Sequence, residues 1–375
     1  MSVVRASRES DPMRDPNRER VVVAMSGGVD SSVAAAMLVE EGCDVVGVTM
    51  HLAGDASRCC SLEDADDARR VAENLGIRFF VANYTEQFNR EVVEAFADCY
   101  LAGRTPIPCV TCNSKFKFEY LMTRAELFGA ERVATGHYAR AESDPETGRR
   151  RLLRGRYRPK DQSYFLFQLT QQQLRRVSFP LGSLSKEEVR KRARELGLAT
   201  ADKPESQEIC FVPDGDYAAV VERIRPEAAS LEGEIVDEKG RFLATHDGIH
   251  HFTVGQRKGL GVSDASDALY VNRIDAKERR VVVGPREMLG ARGAEIEEVS
   301  WIAGEPDEGS LHARVQIRHR DSGTLARIEP QADGRALVYF DEPVRALAPG
   351  QAAVFYDAES NEEVLGGGWI RGALG

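Results

Sequence analysis

The sequence predicts an α/β protein: an N-terminal doubly wound parallel sheet, then a small β-rich central domain, then a C-terminal β-barrel. Three observations lead there. Short apolar runs alternate with helical periodicity through the first half of the chain, the rhythm of parallel βαβ units. The first apolar run ends in a glycine-rich turn that opens a helix. Beyond about Pro213 the helical period fades, and short strands separated by turns take over, as in small barrels.

Val21 to Met25 reads as a buried strand. Residues 32–41 form the next helix, with Val33, Met37 and Leu38 on one side and Gly42 as its stop. Asp44 to Met50 is the second strand, 64–75 a helix, and Arg78 to Val81 a third strand. Helices follow over 86–101 and 115–128, and a strand from Arg132 ends on Gly136. Ligands of such sheets bind at the carboxyl ends of the strands, where the turn after Met25 and Gly136 both lie. Further on, 233–237, 270–275, 280–284, 313–318 and 336–340 read as strands. The expected organisation is a loose tail over 1–17, a nucleotide-binding catalytic domain over 18–215, a central domain over 216–287 and a barrel over 288–375. No internal repeat is visible.

The 375 residues are 42% hydrophobic and 29% charged, the balance of a globular protein too long for one ordinary core. No apolar run is long enough to span a bilayer. The polar start, with Asp11-Pro12 and Asp15-Pro16, lacks the apolar stretch of a signal peptide, so a cytoplasmic location is expected. The net charge of −10 argues against nucleic acid, but local clusters argue for it. Arg149, Arg150, Arg151, Arg154, Arg156, Arg158 and Lys160 crowd one segment, and Arg314, Arg318, His319 and Arg320 another. Each could equally be a solvated face.

The turn Ser26-Gly27-Gly28-Val29-Asp30-Ser31-Ser32 joins strand to helix. Its glycines allow a tight turn that presents backbone N–H groups, and the helix adds its positive end. Ser26, Ser31 and Ser32 offer hydroxyl donors, and Asp30 offers an oxygen to Mg²⁺. The result is an anion cradle sized for pyrophosphate. It lacks the lysine of a Walker A loop.

Seven cysteines, an odd number, do not suggest a disulfide scaffold. Cys109 and Cys112 form a C-x-x-C pair after Pro106 and Pro108, a spacing that suits metal binding or redox work. Cys210 lies in a polar stretch just before the β-rich half. Cys43, Cys59, Cys60 and Cys99 lack a motif and read as small apolar residues.

The 26–32 string resembles the PP-loop of ATP pyrophosphatases, which cleave ATP between the α- and β-phosphates. That resemblance implies ATP contacts from Ala24, Met25, Ser26, Gly27, Gly28, Val29, Asp30 and Ser31, with Met50 and Gly136 near adenine and ribose. The cysteine segments, with the strings at 134–138, 152–155, 160–165, 255–261 and 349–356, are similar to the bacterial tRNA 2-thiouridylase family over nearly the whole chain. This implies that the C2 oxygen of the tRNA wobble uridine is adenylylated by ATP and then replaced by sulfur. It assigns the nucleophile to Cys112 and the persulfide to Cys210, paired as a disulfide after transfer. It places tRNA contacts at Lys160, Asp161 and Gln162 and at Arg318 and His319, and it implies a persulfide donor protein or inorganic sulfide as sulfur source.

One position departs from the family pattern: Cys109 stands where better-known members carry Asp. Three thiols, Cys109, Cys112 and Cys210, can hold a [4Fe–4S] cluster with one open iron. A persulfide route and a cluster route therefore both stand. The rivals to thiolation are an amide- or amidine-forming PP-loop ligase, indifferent to loss of Cys112 and Cys210, and a tRNA-binding module without catalysis.

Overall fold

The computed structural model describes residues 17–52, 62–205, 209–212, 215–262, 268–306 and 309–374. The expected tail up to residue 16, and Cys59 and Cys60, lie outside them. Strands β1 (Arg20–Ala24), β2 (Asp44–His51), β3 (Arg78–Asn83), β4 (Arg132–Ala134) and, after a hairpin, β7 (Val177–Ser178) form one sheet in the order β3-β2-β1-β4-β7. Every pairing in it is parallel. β1 is apolar on both faces because both are covered. Val22 packs with Phe88 and Phe116 on one side, and Val21 and Val23 with Val33 and Leu38 on the other. Each fully buried valine is worth about 1.5–3 kcal/mol relative to exposure. The chain winds outward from β1 through β2 and β3, then returns to β4. The switch point between β1 and β4 is where such sheets open a crevice.

Helix α1 (Val29–Glu40) starts three residues earlier than expected, because Gly28 serves as its N-cap. α2 (Leu62–Leu75) follows β2, and α3 covers 85–101 with its middle, Asn89–Glu94, wound as a π-helix. α4 covers 108–127 and also carries a π-wound stretch, Cys112–Tyr120. The sequence reading began this helix at Lys115. Pro108 instead occupies the first turn, where a missing N–H costs nothing. Cys109 and Cys112 are thereby helical. α5 (Lys186–Glu195) and α6 (Tyr217–Ile224) complete the helices that bear on the site.

The hairpin of β5 (Ala139–Ser143) and β6 (Arg150–Arg154) was not anticipated, since its charges read as a cluster and not as a strand. It leaves the parallel sheet and joins the C-terminal barrel. The central unit holds β8 (Gly233–Asp237), β9 (Phe242–His246), β10 (Tyr270–Asp275) and β11 (Arg280–Gly284), ordered β10-β11-β8-β9. The barrel holds β12 (Gly290–Trp301), β13 (Leu311–Gln316), β14 (Thr324–Pro330), β15 (Ala336–Arg345), β16 (Ala352–Asp357) and β17 (Glu363–Ala373). Six strands in the order β12-β15-β14-β13-β16-β17 close through β12 and β17. β17 also takes β6, with Glu363 opposite Leu153 and Val364 opposite Leu152. The first and last parts of the chain thus share a sheet.

Candidate active site

The turn between β1 and α1 is built from its own side chains. Ser31 Oγ accepts from the Ser26 N–H (3.1 Å), and Ser32 Oγ donates to Gly28 O (2.8 Å). Ser32 is fully buried and receives Thr200 Oγ1 at 3.1 Å, so it holds the turn instead of facing a ligand. Ser26 is exposed. Gly27 has φ +69°, and a Cβ there would meet Asp64 O at 2.1 Å. Gly136, just past β4, lies so close that a Cβ would meet Ser31 N at 2.7 Å and Asp30 C at 2.8 Å. The predicted residues 24–31 and Gly136 therefore meet across the switch point. Met50 is buried near the carboxyl end of β2, and its neighbour Thr49 donates to Met25 O at 2.6 Å. Among the described residues no side chain caps α1, so its first N–H groups keep their partial positive charge for an anion.

Asp30, the expected Mg²⁺ oxygen donor, is engaged by neighbouring side chains. Both its carboxylate oxygens accept from Lys186 Nζ at 2.8 Å, and Tyr138 OH donates to Oδ1 at 2.8 Å. Burial, with Asp30 alongside, pushes the Tyr138 phenol far above its ordinary range and keeps it a donor. Lys186 is buried and also pairs with Glu205 at 2.5 Å, while Glu205 pairs in turn with Lys160. Burial alone would raise the Glu205 carboxyl. The hydrogen bonds from Lys160 and Lys186 overturn that and hold it below its ordinary value. The alternating series Lys160, Glu205, Lys186, Asp30 runs from an expected RNA contact to the phosphate turn. Sequence reasoning missed Lys186, Glu205 and Tyr138. One signal was present: a lysine directly after the Ser185 cap sits at the positive end of a helix, an unfavourable place without a carboxylate partner.

Cys112 and Cys210 pack against the same apolar core, which contains Val110, Phe116 and Phe211. Phe88 joins the two cysteine segments, with its ring 5.4 Å from Phe116 and 5.9 Å from Phe211. Both cysteines are half-buried, whereas Cys109, one turn before Cys112, is exposed. Residues 206–208, just before Cys210, lie outside the described residues. Burial pushes the Cys43 and Cys99 thiols up, in keeping with their reading as packing residues.

The two expected RNA-contact strings also meet. His319 Nε2 donates to Asp161 O (3.2 Å), and its ring lies 4.4 Å from Phe165. Phe165 O accepts from Asn113 Nδ2 at 3.3 Å, which ties this corner to the cysteine helix. Tyr164 is buried and belongs to the core. Asp161 is buried, and its carboxylate accepts from Arg154 (2.7 Å), Gly155 N (3.0 Å) and Ser163 N (3.1 Å). Gln162 accepts from Tyr138 N at 3.1 Å. Arg318 is exposed and donates to Arg345 O.

The basic segment is largely neutralised within the fold. Arg149 and Arg151 share Glu363, Arg158 pairs with Glu362, and Arg154 stacks over Tyr356 at 3.4 Å. No helix among the described residues is long and apolar enough to cross a membrane.

Residues 19–214 match the tRNA methyl transferase HUP domain family, 219–285 the tRNA methyl transferase PRC-barrel domain, and 291–370 the aminomethyltransferase beta-barrel domain. The chain is 50% identical over 373 residues to a tRNA-specific 2-thiouridylase MnmA of Geotalea uraniireducens, covering 96% of this chain and 97% of that one. It is also 50% identical to the protein so named in Geobacter metallireducens, covering 96% and 99%. The one from Roseobacter denitrificans is 47% identical over 366 residues, covering 95% of each chain.

Proposed function

The chain belongs to the tRNA-specific 2-thiouridylase family, and on that premise we propose how its site replaces a uridine oxygen with sulfur. The protein is a tRNA sulfurtransferase that thiolates uridine with the help of ATP. The uridine is the wobble base, unstacked into the crevice, and its C2 oxygen attacks the ATP α-phosphorus as pyrophosphate leaves. The free N–H groups at the start of α1 and the exposed Ser26 stabilise the leaving pyrophosphate. Lys186, fixed between Asp30 and Glu205, keeps the turn shaped for it. Mg²⁺, if bound with ATP, would help neutralise the phosphate charge, with Asp30, now held by Lys186, as its candidate protein oxygen.

Sulfur arrives as a Cys210 persulfide, its outer sulfur passed on at the same oxidation level from the persulfide of a donor protein, whose thiol is released. The Cys112 thiolate attacks Cys210 Sγ, forming a Cys112–Cys210 disulfide and releasing hydrosulfide. Hydrosulfide adds at C2, the bond from C2 to the AMP oxygen breaks, and one proton leaves with AMP as the thiocarbonyl forms. An external thiol then reduces the disulfide. The observation that carries this reading is the shared aromatic core beneath Cys112 and Cys210, in the same fold as the phosphate turn that Lys186 and Glu205 support.

A second sulfur route rests on Cys109. It lies one helical turn from Cys112, so the two side chains face the same way. With Cys210 they make a thiolate set that suits a [4Fe–4S] cluster. If bound, the cluster is held by Cys109, Cys112 and Cys210 and supplies an open iron for sulfide. Iron and sulfide analysis after anaerobic purification separates the routes, since iron-free protein that thiolates tRNA excludes the cluster. The function as a whole is tested by mass analysis of tRNA nucleosides from cells lacking the protein. Loss of 2-thiouridine derivatives is expected, and their persistence refutes the assignment. The reading places the enzyme in the cytoplasm with its tRNA.

A further inference from the structure

Away from the crevice, α6 and the central unit bring a carboxylate and two imidazoles together. Glu222 Oε1 lies 3.1 Å from His250 Nε2 and 3.4 Å from His251 Nε2. The three ligand atoms all lie within 4.8 Å of one another, and no other such group of three occurs among the described residues. We propose that Glu222, His250 and His251 form a zinc site that staples the helix following the Cys210 segment to the central domain.

The distances fit a tetrahedral ion. Zinc binds histidine nitrogen and carboxylate oxygen at about 2.0–2.2 Å, so neighbouring ligand atoms on its tetrahedron are roughly 3.3–3.5 Å apart. The two carboxylate–imidazole spacings lie at or just below that edge, and 3.4 Å is too long for a good hydrogen bond. The donor set, two nitrogens and one oxygen, suits zinc and related borderline divalent ions more than calcium or magnesium. The imidazole rings lie side by side, with centroids 4.3 Å apart.

The site is also left unfinished by the protein alone. His251 Nε2 is buried and has no hydrogen-bond partner among the described residues, although it faces a carboxylate. His250 is wholly buried, so its ring is held in place by its surroundings. Gly248 lets the chain pass against that ring, since a Cβ there would lie 2.3 Å from His250 Cε1. The nearby His246 is not a ligand, because its Nε2 faces Arg279 O at 3.2 Å. Glu222 and His251 are each about one-third exposed, so water reaches the fourth position.

The staple has a place in the architecture. α6 begins five residues after Val212, stacks Tyr217 on Tyr100 at 4.8 Å, and leads to Arg225, which pairs with Asp98 at 2.8 Å. An ion between Glu222 and the 249–251 turn strengthens the contact that the Glu222 carboxylate already makes with His250. The exit of the Cys210 segment is then fixed on both sides. The role is structural, and none of the three residues touches the phosphate turn or the cysteine core.

The test must separate this site from the cysteines, which also bind zinc. In full-length protein with Cys109, Cys112 and Cys210 all replaced by serine, cobalt(II) titration should show one equivalent bound. It should give tetrahedral d–d bands without thiolate-to-cobalt charge transfer, and zinc should displace the cobalt. Adding H251Q, at a partly exposed side chain, should weaken zinc binding by roughly two orders of magnitude. It should also abolish the rise in melting temperature that zinc gives the parent. Failure of the serine-substituted parent to bind cobalt or zinc overturns the proposal, whatever becomes of the variant. Equal affinity in parent and H251Q overturns it as well.

Discussion

Replacing Lys186 with methionine removes one ammonium from between two carboxylates while keeping most of the side-chain volume. Lys186 makes two 2.8 Å contacts with Asp30 and one of 2.5 Å with Glu205. At an effective dielectric of about 20, each carboxylate pair is worth roughly 5 kcal/mol before desolvation is counted. Loss of one partner of a fully buried pair costs about 3–5 kcal/mol. Asp30 and Glu205 retain 33% and 22% side-chain exposure, so water takes over part of the job and about 2 kcal/mol remains. If that falls on the phosphate turn, tRNA-dependent pyrophosphate release drops roughly 30-fold in kcat/KM for ATP. The effect on stability has a defined pH window. Lys160 and Lys186 hold the Glu205 carboxyl below its ordinary 4.5, so their contribution is complete above that pH and vanishes as pH falls through the depressed value. Melting curves of wild type and K186M should differ fully at pH 7 and converge as pH falls below the ordinary carboxylate range. The assays are pyrophosphate release with saturating tRNA and thermal melts at both pH values. A folded K186M that releases pyrophosphate at the wild-type rate refutes the argument.

Three further outcomes are expected. Gly136→Ala puts a Cβ within 2.7 Å of Ser31 N, against backbone that has no rotamer to yield, so ATP binding measured by calorimetry should fall at least tenfold. Cys112→Ser and Cys210→Ser should each abolish 2-thiouridine formation yet keep tRNA-dependent pyrophosphate release. Cys109→Ser should keep thiolation if the persulfide route operates, and a dead Cys109→Ser enzyme contradicts that route. Because Arg149 is paired with Glu363 while exposed Arg318 donates to a backbone carbonyl, Arg149→Ala should leave the salt dependence of tRNA affinity nearly unchanged, whereas Arg318→Ala should lower the slope by about one, as read by filter binding across salt concentrations.

The phosphate turn was legible because everything that shapes it is local. Apolar Val21 to Met25, the Gly27–Gly28 pair and the start of α1 are adjacent in the chain, and the Gly136 end of β4 follows from the parallel rhythm. Its supports were not legible. Lys186 reaches Asp30 from 156 residues away, and a lone lysine in a capped helix has no local pattern that names its partner. The basic segment shows the converse limit. Arg149 and Arg151 look like a phosphate-binding run until β17 brings Glu363 across from them. Asp161, which the family resemblance makes a tRNA contact, has a carboxylate drawn inside by Arg154 and two backbone N–H groups. Helix α4 begins well before Lys115 because Pro108, tolerated in a first turn, opens the helix that carries both cysteines.

The central claim is that one crevice couples ATP cleavage to sulfur insertion. Purified enzyme, carrying a quantified persulfide on Cys210 and freed of excess sulfur donor, can be mixed with unmodified tRNA and ATP for a single turnover. AMP, pyrophosphate and 2-thiouridine should then appear in equal amounts, limited by the persulfide, with Cys112 and Cys210 recovered as a disulfide. AMP and pyrophosphate formed at that level without 2-thiouridine, or 2-thiouridine formed without AMP, contradicts the account.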